Sequence, residues 1–329
     1  MLFLPEVCHL ARRSEPMIEW PDGKHFAFTI VDDTDGATVE NVSPVYDVLL
    51  EHGLLTTKTV WPLGCTNGKD TPAQASGSSL EDPAYRAWIL ELAEKGFEIA
   101  FHGARDQSSL RDETARALDY FKDVLAHDPR MFVNHWGQKE GMYWGRSRLD
   151  GVPRIIYRLV NAAILRESRY YGHEEGSPHF WGDICRDRIT YARNFVFRDI
   201  NTLKKDPIMP YHDPRRPYVR WWYSASDAGT YEDFCDLLAE EHQDRLVAER
   251  GACIVYTHFA LGFARDGRPR RRFVELIERL AGLPGWFVPA STLLDFLRER
   301  PGWQPEADRK TLGRMQREWL FGRLLHGRS

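Results

Sequence analysis

The sequence predicts an α/β protein built on a parallel sheet, open or closed. Two observations predict it. Short β-branched and aromatic runs alternate along the chain with stretches of helical periodicity. The unusual polar residues stand directly after the carboxyl ends of those runs, where parallel α/β folds bind their ligands. At 329 residues and 43% hydrophobic content the chain can bury one large core, so a single domain over residues 1–329 is expected.

The strands read in order as Phe26 to Val31, Thr57 to Trp61, Phe97 to Phe101, Met131 to Val133, Ala252 to Tyr256 and Trp286 to Val288, at least six in all. Between them, Val42 to His52 and Pro83 to Lys95 space their apolar residues as helices do, with Gly53 and Gly96 where C-caps belong. Further helices are expected over Tyr231 to Arg250, and over Thr292 to Glu299 with Ser291 as cap. From Gly137 to about Gly229 the sequence is rich in Arg, Tyr, Trp, Gly and Pro, with one helix expected near Val152 to Glu167. It reads as long insertions over one face of the sheet. The last segment, Glu306 to Leu325, sets Leu312, Met315, Trp319 and Leu320 at helical spacing among basic residues. It is expected to dock on the sheet domain or on a partner subunit, with membrane-surface contact as the alternative.

Composition excludes several classes. A balance of 44 basic against 48 acidic residues gives a net charge of −4, with no overall pull toward nucleic acid. The five cysteines are scattered, odd in number and never arranged as C-x-x-C, so neither a disulfide framework nor a zinc knuckle is readable. The apolar stretch Met1 to Pro5 lacks a cationic region ahead of it, and no run of about 18 apolar residues occurs. A cytoplasmic protein without a transmembrane segment is expected.

The polar residues at the strand ends carry the chemistry. Asp32, Asp33 and Asp35 follow the first strand, and carboxylates that close repel unless a cation or a proton intervenes. His102 and Asp106 follow the third strand four residues apart, so they share a face if the turn is helical. With Asp33 they make a two-carboxylate, one-histidine set suited to a divalent metal with open positions. Asn134-His135-Trp136 follows the fourth strand, and His135 is read equally as a substrate or metal contact or as structural. His258 follows the strand at Ala252 and suits proton transfer near neutrality. Trp181, Trp221, Trp222, Tyr143, Trp144, Tyr170 and Tyr171 in the inserted middle offer rings that either stack on sugars or form its core.

In order and spacing these motifs resemble the polysaccharide deacetylase (NodB-homology) superfamily. Its first-strand T-F-D-D-G is similar to Thr29-Ile30-Val31-Asp32-Asp33-Thr34-Asp35-Gly36, with an inserted Thr-Asp, and its H-[ST]-x-x-H to His102-Gly103-Ala104-Arg105-Asp106. Val255-Tyr256-Thr257-His258 is similar to its late leucine-x-histidine motif. The likeness spans about 24–298, leaving 299–329 as a helical extension. The second metal histidine is replaced by Asp106, and the arginine-proline-tyrosine-glycine motif is absent, with Asn134-His135-Trp136-Gly137 nearest to it.

The resemblance implies a distorted (β/α)7 barrel with long insertions on its carboxyl-terminal face and one divalent transition metal, zinc foremost with other divalent metals open. It implies Asp33, His102 and Asp106 as metal ligands, Asp32 as general base and His258 as general acid. Asp35, Asn134, His135 and Trp136 remain for substrate. The implied activity is hydrolytic removal of an acetyl or formyl group from an amino sugar or related carbohydrate. The substrate would be an acylated sugar, a sugar nucleotide or a lipid-linked saccharide, and a homo-oligomer is allowed. The alternatives are a catalytically inactive carbohydrate-binding relative and a metal-independent glycoside hydrolase using paired carboxylates.

Overall fold

The computed structural model describes residues 18–66, 77–165 and 169–326; the Met1 to Pro5 stretch lies outside them. The strands are β1 (Phe26–Asp32), β2 (Thr57–Val60), β3 (Glu98–Phe101), β4 (Met131–Phe132), β5 (Tyr191–Phe197), β6 (Trp221–Asp227), β7 (Ala252–Thr257), β8 (Ala264–Arg265), β9 (Arg268–Pro269) and β10 (Gly285–Phe287). The helices are α1 (Val39–Glu51), α2 (Pro83–Glu94), α3 (Arg111–Leu125), α4 (Gly151–Val160), α5 (Gly182–Arg188), α6 (Thr202–Lys205), α7 (Tyr231–Leu237), α8 (Glu240–Ala248), α9 (Arg271–Ala281), α10 (Ala290–Glu299) and α11 (Arg309–His326).

Strands β1 to β7 run parallel, and the pairing of β1 with β7, Ala27 opposite Ala252 through Asp32 opposite Thr257, closes them into a seven-stranded barrel. The distortion lies beside β1. It meets β2 only at its carboxyl end, Val31 opposite Thr57 and Asp32 opposite Lys58, while β10 pairs with its other end at Phe26 to Phe28. Strands β8 and β9 form a separate antiparallel hairpin.

Period-two alternation sorts the side chains of each strand into lumen and outer layer. In β1, Ala27 and Val31 join the interior cluster with Ala100, Tyr191, Tyr223 and Ile254, whereas Phe28 and Ile30 pack outward with residues of α1, α2 and α9. Helix α10 shuts the amino-terminal end of the barrel. Its Leu293, Leu294 and Leu297 complete the interior cluster, the backbone N–H of Ala290 donates to Thr57 Oγ1, and Tyr191 Oη donates to Asp295. The open end is therefore the carboxyl-terminal one.

Several expectations meet the structure closely. Gly53 and Gly96 hold φ of +70° and +95°, the left-handed region that ends a helix. Others need correction. The stretch read as insertion contains β5 and β6, two of the seven barrel strands. Arg193 and Asn194 break the apolar run of β5, and Ser224, Ser226 and Asp227 break that of β6. The helix expected over Tyr231 to Arg250 is two, α7 and α8, separated at Leu238 and Ala239. Ser291 lies inside α10, and Pro289 occupies the cap position. Helix α11 docks on α4 and β5, with Leu312, Met315, Trp319 and Leu320 buried as the spacing predicts. Trp181, Trp222, Tyr143 and Tyr170 are core residues. Among the described residues four cysteines are free, and no helix is long and apolar enough to cross a membrane.

Candidate metal centre and its cavity

Two adjacent aspartates at a strand end must point to opposite sides, and the parity of β1 decides which goes where. Asp32 follows Phe28 and Ile30 into the layer between barrel and helices. It is fully buried there and accepts hydrogen bonds from Lys58 Nζ at 2.8 Å, Tyr46 Oη at 2.9 Å and the backbone N–H of Phe259 at 2.8 Å. Lys58 is equally buried. Burial pushes its ammonium pKa down, but the charge and hydrogen bond of Asp32, together with Tyr85 and Asp33, outweigh this and hold it above the ordinary lysine value. Asp32 thus anchors α1, β2 and the loop after β7 to one another and does not line the cavity, so the general-base role expected of it is corrected.

Asp33 faces the lumen. Arg193 of β5 grips it through both oxygens, Nη1 to Oδ1 at 3.0 Å and Nη2 to Oδ2 at 2.6 Å, with both side chains 3% exposed. The guanidinium lies 4.2 Å from the centre of the Tyr256 ring. Burial works against the Arg193 charge, and Asp33 more than restores it. The Arg193 grip engages both Asp33 oxygens, so the metal-ligand role expected of Asp33 competes with this ion pair.

The third aspartate occupies the centre. His102 Nε2 donates to Asp35 Oδ2 at 3.0 Å, His135 Nε2 lies 2.5 Å from Asp35 Oδ1, and His258 Nε2 lies 3.5 Å from Asp35 Oδ2. Burial would raise the Asp35 pKa, but the imidazoles of His102 and His135 outweigh it and hold the carboxyl well below the usual carboxylate range. Burial lowers the His135 pKa, and contact with Asp35 reverses this to a net rise. The rings are set by packing: Trp61 lies 5.9 Å from His102 and 5.8 Å from His135, centre to centre, and the two imidazoles are 5.4 Å apart.

The donor atoms of Asp35, His102 and His135 all lie within 4.8 Å of one another. A tetrahedral shell with bonds of about 2.0 Å has edges of about 3.3 Å, so one ion fits among them with little adjustment. Two imidazole nitrogens and one carboxylate oxygen with positions left open suit zinc or another first-row divalent ion. Asp33, Asp35 and His258 form a second such group, but the Arg193 grip on Asp33 argues for the first.

Asp106 does not join. The helical turn that would put it on one face with His102 is broken at Gly103, whose φ is +104°, and Asp106 instead approaches His135 at 3.7 Å. Asn134 is occupied with Met142, accepting from its N–H at 2.7 Å and donating to its carbonyl at 3.2 Å. Trp136 stands half-exposed at the rim. His258 donates from Nδ1 to the Gly229 carbonyl at 2.8 Å, which aims Nε2 at the centre.

These groups floor a cavity of about 540 Å3, walled by Trp136, Trp144, Tyr157, Trp319, Arg148 and Arg323 among others. The sequence pattern alone did not reveal Arg193, nor the contribution of α4 and α11 to the wall. The signal for Arg193 was a cation inside the run Tyr191 to Phe197, where a buried strand holds a charge only if it is paired.

The fold has solved counterparts. Puue allantoinase superposes with a TM-score of 0.53 at 14% identity, covering 92% of this chain and 100% of that one. A probable polysaccharide deacetylase from Pseudomonas aeruginosa PAO1 gives 0.50 at 13% identity, covering 92% and 100%. The chain thus has the distorted (β/α)7 barrel fold found in these two structures. No protein-family model and no curated protein matches the sequence.

Proposed function

We propose that this protein is a metal-dependent hydrolase that removes an N-acyl group, acetyl or formyl, from an amino sugar or related carbohydrate. The observation that carries the reading is the convergence of three imidazole Nε2 atoms on Asp35 beside the Asp33–Arg193 pair, at the carboxyl-terminal floor of the barrel cavity. The likeness of fold to a polysaccharide deacetylase and an allantoinase supports hydrolysis of a carbon–nitrogen bond.

Asp35, His102 and His135 would hold one divalent ion, zinc foremost. Such an ion, when bound, polarises an amide carbonyl and makes water more acidic. Asp33 takes up the proton of the attacking water, its carboxylate held in one orientation by Arg193. His258, fixed through Nδ1, gives a proton to the departing amine from Nε2. The rings of Trp136 and Trp144, which are not buried, offer faces for a sugar, in place of the buried Trp181 and Trp222. An acylated sugar, a sugar nucleotide or a lipid-linked saccharide fits this reading. A paired-carboxylate glycosidase would have to use Asp33 with Asp35, since Asp32 lies on the other side of β1; it predicts turnover that survives chelator.

The test is acetate release from N-acetylated chito-oligosaccharides by metal-loaded protein, with and without chelator. Turnover that chelator abolishes and Asp35→Ala lacks supports the proposal. A purified protein that binds no divalent metal overturns it.

A further inference from the structure

Eleven large hydrophobic side chains are exposed among the described residues, and seven sit on two helices in contact with one another. Val152, Ile155, Ile156 and Leu159 lie on α4, and Phe321, Leu324 and Leu325 on α11. The α4 positions are spaced i, i+3, i+4 and i+7, one helical face. Tyr157 is the one buried residue of α4, on the side away from this face, its ring 5.8 Å from that of Trp319. Val152, Ile156, Phe321 and Leu324 share one groove of about 670 Å3. An apolar surface so concentrated marks a docking site.

The charges around it are mostly positive: Asp150 lines the groove, but Arg215 and Arg216 pair with it. Helix α4 carries Arg154 and Arg158, both exposed, and no acidic residue. Arg309 and Arg317 border the groove from α11, and none of these four arginines has an ion pair among the described residues. In a chain of net charge −4 this is a local reversal. A second copy of the chain is a poor occupant, because a two-fold contact would press the same arginines against one another. An anionic lipid surface answers both features, taking the apolar face into its acyl boundary and the arginines among its headgroups.

We propose that the α4–α11 face docks this protein onto an anionic bilayer surface. The inference stands apart from the chemistry proposed above. The inner sides of the same two helices supply Tyr157, Trp319 and Arg323 to the cavity wall, so a docked bilayer lies one helix away from the candidate centre.

The test is co-sedimentation of the full-length protein with phosphatidylcholine vesicles, with and without about 30% phosphatidylglycerol. Binding to the anionic vesicles is expected to exceed that to neutral ones by about tenfold and to weaken severalfold in about 0.5 M salt. Ile155→Asp/Leu324→Asp and Arg154→Glu/Arg158→Glu should each lower it about tenfold. All four residues are exposed, so thermal melting of both variants should match wild type. Wild type that ignores anionic vesicles, or variants that bind as wild type does, overturns the proposal. A dimer by light scattering that Ile155→Asp/Leu324→Asp converts to monomer assigns the face to a second copy and overturns it as well.

Discussion

The placement of Asp32 outside the lumen is open to a direct energetic test through its partner Lys58. Both side chains have no exposed surface and meet at 2.8 Å. Lys58→Met leaves the Asp32 carboxylate with two neutral donors, Tyr46 Oη and the Phe259 N–H, and is expected to cost about 3 kcal/mol, the low end for breaking a buried pair. Asp32→Asn strands the Lys58 ammonium and should cost about 3–5 kcal/mol. The double variant removes both charges and leaves chiefly one unsatisfied amide N–H, about 2 kcal/mol. The two single changes therefore sum to about 7 kcal/mol against about 2 for the double, a coupling of at least about 3 kcal/mol. Urea unfolding of the four proteins at pH 7 measures it. Additivity to within about 0.5 kcal/mol refutes the structural role. So does an Asp32→Asn protein that keeps its stability while losing turnover, since that outcome returns Asp32 to the reacting centre.

Three further predictions follow from particular residues. Elemental analysis should find about one divalent ion per chain in wild type, loss of it in Asp35→Ala, His102→Ala and His135→Ala, and retention in Asp106→Ala; metal lost from Asp106→Ala alone would restore the ligand set implied by motif resemblance. Burial pushes the Glu140 carboxyl up to about 7. Its neutral form therefore contributes stability that is full below the unfolded pKa of about 4.3 and lost as pH rises through about 7, up to about 3 kcal/mol. Glu140→Gln should accordingly unfold later than wild type at pH 8 and similarly at pH 4, and unfolding curves parallel at both pH values would contradict this. Gly103→Ala forces a side chain onto φ of +104° and sets its Cβ 2.6 Å from Gln138 Oε1. The change should cost about 1–3 kcal/mol and lower the melting temperature, while an unshifted melt would mean that the turn after His102 relaxes freely.

The sequence by itself determined the elements and the level at which the chemistry lies. Alternation of apolar runs with helical periodicity is local, so β1, β2, β3, β4, β7 and the docking stripe of α11 were legible. So was the gathering of Asp33, Asp35, His102, His135 and His258 at the carboxyl ends of strands. Strands β5 and β6 were not, because a lumen-facing Arg193 and the serines of β6 break the apolar pattern that signals a buried strand. The role of each polar residue waited on tertiary structure. Side chains alternate across a strand, so whether Asp32 or Asp33 enters the lumen depends on which β1 face the helices cover. Which carboxylate is left to meet the imidazoles depends in turn on Arg193, 160 residues away from Asp33 in the chain. Spacing within a motif reports neighbours along one segment; the centre joins the loops after β1, β3, β4 and β7, and only closure of the barrel brings them together.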